Sequence, residues 1–273
     1  RIHLEHPRQQ SVLREICSLL DGYPLGAELI FGVSRFIGGT IYTPEAATRS
    51  LEEVRDDLRE TPLAGMLAVL NVSFQRLTPS ARLLLSYLAA FKLPFTREQI
   101  QMLVTSGARS GGQEPSMLAE AAMLERHWRA ARDELVQASF MQFDGEVYSI
   151  HAQVRHFALM HLPLEERRRV HRVVAAYYAT LPQSTIEEWM AAFELLEKAG
   201  EPQDIQEAVQ VAVRASWALA SRGDTRELQM LLQRAAVHAS RSGDKTVESQ
   251  VQLVLGEMSK GVPEFIAREG VGM

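Results

Sequence analysis

Cysteine is nearly absent from this sequence: 273 residues contain one, Cys17. A lone cysteine excludes an intrachain disulfide, so the fold must hold by packing, and a reducing, cytoplasmic compartment is expected. Its place between Ile16 and Leu19, in an apolar helical pattern, predicts a packing residue rather than a reactive thiol. Long apolar runs are missing as well. None approaches the roughly 20 residues that span a bilayer, so a soluble protein without a membrane partner is expected. Positive charge is in short supply: 29 Lys and Arg stand against 34 Asp and Glu, a net charge of -5. That balance argues against a domain that coats nucleic acid, which needs a surplus of cations to neutralise phosphates.

Catalytic signatures are equally scarce. There is no GxxxxGK[ST] phosphate loop and no GxGxxG after a strand. Gly111-Gly112 lies in a polar stretch with no Lys-Ser behind it. There is no HExxH, and His151, His156 and His161 are spaced by five, off the shared face that i, i+4 metal ligands use. No Gly-x-Ser-x-Gly elbow occurs. The carboxylates are scattered over amphipathic helices, where a solvated face is the ordinary reading. Neither catalytic nor metal-ligating residues are expected, and the chain by itself is not expected to be an enzyme.

What is present is helical periodicity. Val12, Leu13, Ile16, Leu19 and Leu20 fall on one face. Asp21-Gly22-Tyr23-Pro24 breaks the pattern, and a second helix starts near Pro24, where a proline lacks only an N–H that would go unpaired anyway. Gly38-Gly39 ends it, and Thr43-Pro44 opens a third helix reaching about Arg59. A second unit begins near Leu63. Met66 to Leu77, Thr78-Pro79 to Phe91, and a segment capped by Thr96 and Gln99 read as three helices. Ser106 to Pro115, rich in Gly and Ser, reads as a loop, and a long helix follows from about Ser116 to Ala138. The one convincing β signal comes next: Phe140, Phe143, Val147, Tyr148 and Ile150 around the turn dipeptide Asp144-Gly145. Several helices followed by one hairpin is the layout of a winged helix. A further helix starts at His151.

From Pro163 onward the pattern is helical throughout. Ser184 with Glu187, and Asp224 with Glu227, fit capping boxes. Arg222-Gly223-Asp224 and Ser242-Gly243-Asp244 repeat a stop-and-start signal, the grammar of an α-solenoid resembling tetratricopeptide repeats, with an irregular helical bundle as the other reading. The expected fold class is therefore mainly all-α: a helical domain over residues 1–62, a winged-helix domain with one β-hairpin over 63–162, and solenoid-like helices over 163–273. Arg167, Arg168, Arg169 and Arg172 form a basic run that Glu165 and Glu166 are close enough to pair. Trp128, Trp189 and Trp217 are expected in the core.

Leu20 to Leu29, reading LDGYPLGAEL, resembles the "GLPL" segment of the STAND nucleotide switches, the NB-ARC-like signalling ATPases. Leu70 to Phe91, LNVSFQRLTPSARLLLSYLAAF, looks like that family's opening of a winged helix. Val147 to Ala158, VYSIHAQVRHFA, looks like its closing "Met-His-Asp" segment. The similarity covers about Ser11 to Leu162. It implies that Gly22, Pro24 and Leu25 shape an apolar wall at an adenine, and that His151 reaches the β-phosphate of ADP. ADP or ATP would then be held by the parent protein, while this portion alone would hold none. Two departures stand out: Ile150 replaces the family's Met, and Ala152 replaces its Asp. The Walker elements are absent too, and the chain opens on Arg1 rather than Met. The expectation is therefore a regulatory and sensor fragment whose partners are an upstream ATPase core of the same polypeptide and a protein bound by the helical repeats. A second expectation is a transcription regulator whose Ser116–Ala138 helix reads DNA through Arg126, His127, Arg129 and Arg132, diluted by Glu120, Glu125, Asp133 and Glu134. A third is a helical-repeat scaffold.

Overall fold

A computed structural model describes residues 7–19, 24–36, 44–60, 65–109, 115–181, 184–219, 225–242 and 245–259. The fold is mainly all-α: thirteen helices and one two-stranded sheet among the described residues. The chain divides into two compact units, Arg1–Leu162 and Pro163–Met273. No helix among the described residues is long and apolar enough to cross a membrane.

Unit 1 opens with α1 (Pro7–Leu19), α2 (Pro24–Phe36) and α3 (Pro44–Glu60). Each starts on a proline, whose fixed φ suits the first helical turn. Val12, Leu13 and Ile16 of α1 are buried, as are Leu51, Val54 and Leu58 of α3, and α1 packs on α3. Glu15 of α1 pairs with Arg55 and Arg59 of α3 across that seam. Cys17 is exposed, not buried. At 3.6 residues per turn it lies roughly 90° around α1 from the middle of the buried stripe, and Leu19, 38% exposed, falls off the other edge.

Next come α4 (Met66–Gln75), α5 (Pro79–Leu88), α6 (Arg97–Arg109) and α7 (Pro115–Gln137). Thr78 caps α5 by accepting from Ala81 N. Thr96 and Gln99 form the reciprocal bonds of a capping box at the start of α6. Helix α6 continues through Arg109, where the composition pointed to a loop; the i→i−4 bonds of an established helix carry past Ser106 and Gly107. The chain then forms β1 (Gln142–Phe143), β2 (Tyr148–Ser149) and α8 (Ala152–Leu159). Gln142 pairs with Ser149, and Phe143 with Tyr148. The turn is wider than a two-residue hairpin: Asp144 Oδ1 accepts from both Glu146 N and Val147 N, so its side chain replaces a backbone partner. Those bonds hold the Asp144 carboxyl below its ordinary value. Phe95 adds a third extended piece, exchanging two backbone bonds with Tyr148 at 2.9 and 2.7 Å.

Unit 2 comprises α9 (Leu164–Thr180), α10 (Ile186–Ala199), α11 (Pro202–Leu219), α12 (Thr225–Ser242) and α13 (Lys245–Ser259). Each helix packs on the next, and α10 also meets α12 while α11 meets α13. The capping box of α10 is Thr185 with Glu188, one residue beyond Ser184 and Glu187. Ser184 is buried and donates instead to the carbonyls of Tyr178 and Leu181. Gly200, at φ 78°, closes α10 by donating to Leu196 O, a left-handed backbone that glycine adopts without strain. The repeated turns at 222–224 and 243–244, Asp224's cap among them, lie outside the described residues.

Candidate functional site

The proline of the LDGYPLGAEL segment is the first residue of α2 and is exposed; Leu25 beside it is half-buried. Gly22 lies outside the described residues. Leu29 and Ile30, one turn further on, are almost wholly buried. Helix α2 packs against α3, α4 and α7. Gly32 makes the last of these contacts possible. A Cβ at that position would lie 2.5 Å from the carbonyl oxygen of Ala138 and 2.7 Å from Ser139 Oγ. The approach is helix backbone to backbone. Ser139 itself sits at φ 62°, just after α7 ends.

His151 is the N-cap of α8 and is exposed. Its Nδ1 accepts from Gln153 N at 3.3 Å, which in the neutral ring leaves the proton on Nε2. Ala152 supplies no cap, so the histidine ring does the work that Ser, Thr or Asp does at most helix starts. Helix α8 is held firmly beneath it. Phe157 meets Phe74 of α4 edge-on at 5.5 Å, His161 lies over both rings, and Arg155 donates to Lys92 O at 2.8 Å. Pro24 and His151 thus begin two helices that share α4 as a neighbour.

The hairpin belongs to a stack of rings. Phe91 and Phe95 lie 4.9 Å apart, Phe95 and Tyr148 6.1 Å, and Tyr148 and Phe143 4.5 Å, with planes tilted by 28°, 23° and 24°. The inner two rings are buried, whereas Phe143 is 47% exposed. On α7, Arg129 and Arg132, with Arg97 from α6, lie over the buried Trp128 ring, and Arg132 is bound to Asp133 at 2.5 Å. The hairpin tip carries Asp144 and Glu146, both exposed.

Glu134 of α7 is buried, and its two oxygens accept from Thr78 N at 2.7 Å and Thr78 Oγ1 at 2.6 Å. A carboxylate at the positive end of α5 ties the two helices together. In unit 2, Arg168, Arg169 and Arg172 of the basic run form ion pairs. Arg168 pairs with Glu165 at 2.8 Å, Arg169 with Glu166, and Arg172 with Glu201 at 2.7 Å and with the buried Asp204 at 2.6 Å. The bond to Asp204 raises the Arg172 pKa above its ordinary value. On the α10–α12 side, Arg234 pairs with Glu194 and Glu197, and His238 Nε2 lies 2.6 Å from Glu197. Trp128 and Trp189 are buried; the side chain of Trp217 lies outside the described residues.

No known family profile matches the sequence, and no curated protein matches it. Among solved structures it is similar to a signal transduction ATPase with numerous domains (STAND) protein with a tetratricopeptide repeat sensor from Pyrococcus horikoshii, at 14% identity and a TM-score of 0.35. That alignment covers 87% of this chain and 42% of the other, so the chain spans less than half of that protein's length.

Proposed function

We propose that this chain is the regulatory and sensor portion of a nucleotide-dependent signal-transduction switch, coupling an ADP or ATP state to conformation and assembly. In this reading residues 1–62 are the GxP-type helical domain, 63–162 the winged-helix domain and 163–273 the tetratricopeptide-like repeats. The chain is not itself an enzyme. An ATPase core of the same polypeptide holds the rest of the nucleotide, and the helical repeats take a protein partner.

The observation that carries the reading is the state of His151. Its Nδ1 is occupied by Gln153 N, and the ring is exposed at a helix start. That leaves Nε2–H free to donate to a phosphate oxygen, where the positive end of α8 adds to the attraction. Because His151 caps α8 itself, Ala152 in place of an aspartate leaves no helix start uncapped. Pro24 and Leu25 supply rigid apolar surface for a base. A ligand that touches His151 in one state and not in another biases the equilibrium between them.

The test is the amount of ADP that copurifies with the polypeptide as its cell produces it. A hydrogen bond to a charged group is worth about 1.5–3 kcal/mol, so His151→Ala should lower ADP affinity about tenfold or more. Unchanged ADP content in the variant would remove the reading's support.

A further inference from the structure

Between α2 and β1 lies an open cavity of about 430 Å³. Its wall is apolar at Val136 and Met141, and its rim carries Glu28, Gln142 and Phe143. The volume falls within the ordinary range for small-ligand sites. Gly32 lines it and keeps α2 close to the end of α7, so the cavity is fixed by backbone contact rather than by movable side chains.

Three features of the rim select the same chemistry. Phe143 is the outermost ring of the four-ring stack, and its 47% exposure leaves surface open to a further planar group. The face of an aromatic ring is negative and attracts cations. Glu28 is exposed and is the one charged side chain among the described lining residues. Gln142 offers an amide oxygen as a further acceptor. A guanidinium group answers all three: it is flat, it stacks on aromatic faces, and its N–H fork binds a carboxylate through two parallel bonds. An ammonium satisfies Glu28 but cannot stack. A nucleotide could stack, but Glu28 repels its phosphates.

We propose that the α2–β1 cavity is a binding site for a guanidinium group, stacked on Phe143 and paired with Glu28, which an arginine side chain of a protein partner supplies. The inference rests on the cavity alone and not on the nucleotide-switch reading.

Nuclear magnetic resonance titration of the chain with two probes tests it: agmatine, a free guanidinium compound, and the tripeptide Ala-Arg-Ala blocked at both ends. The backbone amides of Glu28, Gln142 and Phe143 should shift saturably, with millimolar dissociation constants. Putrescine, which carries ammonium groups alone, should bind about tenfold more weakly. Glu28→Gln and Phe143→Leu, both at exposed positions, should each weaken agmatine binding about tenfold or less while the remaining amides keep their positions. Tighter binding of the tripeptide than of agmatine supports a partner's arginine as the source; the reverse supports the guanidinium site but overturns that source. The proposal fails if neither probe gives a saturable shift at these amides, if putrescine binds as well as agmatine, or if both variants bind as the unaltered chain does.

Discussion

Unit 1 adds ring contacts and one bare backbone approach to ion-paired seams such as Glu15 with Arg55, whereas in unit 2 each helix packs on the next and the seams are bridged by ion pairs. The two glycines Gly32 and Gly200 show the contrast. Gly32 has no room: a Cβ would strike the backbone of Ala138. Gly200 has room, with Glu197 O at an ordinary 3.6 Å from a Cβ, but its φ of 78° is one that side chains resist. One glycine is required by space and the other by dihedral angle. Unit 1 therefore brings unlike elements together at fixed points, an arrangement suited to a site. In unit 2 each helix packs on the next in sequence.

Substitutions can break this comparison, and the largest effect is expected at Gly32. Gly32→Ala should destabilise unit 1 by about 2–3 kcal/mol, because backbone must move to admit the methyl group. Urea unfolding followed by tryptophan fluorescence measures it, and Gly200→Asn, compatible with left-handed backbone, should cost only a few tenths of a kcal/mol. If both variants unfold alike, the distinction between space and dihedral angle is wrong.

Glu134→Ala should cost about 1–2 kcal/mol, because it removes the buried carboxylate that accepts both bonds from the exposed Thr78 at the start of α5. Glu134→Gln should recover part of that loss, since its amide oxygen can still accept one of the two bonds. In unit 2, Arg172→Met should cost about 1–2 kcal/mol by leaving the buried Asp204 carboxylate with only Glu201 N. Arg234→Ala, whose partners are half-open to water, should cost about 0.5 kcal/mol. Thermal unfolding ranks the three. Equal losses at Arg172 and Arg234 would show that burial of the acidic partner does not matter.

The smallest effect concerns pH. Asp144 is exposed and its folded-state pKa lies below the ordinary 3.8, because Val147 N and Glu146 N donate to the carboxylate. A depressed carboxyl stabilises the turn above its unfolded pKa, and that contribution is lost as pH falls through the folded value. The amide resonances of Glu146 and Val147 should therefore titrate with a midpoint below 3.8. A midpoint at or above that value would exclude the bonded turn.

Helix existence was legible in this sequence because apolar period and proline starts agree, as at Pro24, Pro44 and Pro79. The Thr96–Gln99 box was legible for the same reason: both halves are local. The Ser184–Glu187 box failed by one residue because Thr185–Glu188 satisfies the same spacing, and the choice is made by Tyr178 and Leu181, whose carbonyls claim Ser184. Cys17 was misplaced because periodicity gives a stripe but not its width. The partners of Glu134 and the Phe95 pairing lie 56 and 53 residues away, beyond any local signal. Gly32 did leave a trace, a glycine in the middle of an apolar helix, which calls for a packing reason. Of the site, the sequence names Pro24, Leu25 and His151 and places each at a helix start. The cavity at Glu28 and Phe143 arises from a meeting of distant segments that no spacing announces.

The switch reading turns on whether nucleotide joins the start of α2 to the start of α8. The direct measurement is the distance between spin labels at Ala27→Cys and Gln153→Cys, in a Cys17→Ser background of the polypeptide that carries the proposed ATPase core, with and without ADP. The account predicts that ADP narrows the distances to a single population within the span of a nucleotide, and that His151→Ala removes the narrowing. A distribution that ADP leaves unchanged would contradict it.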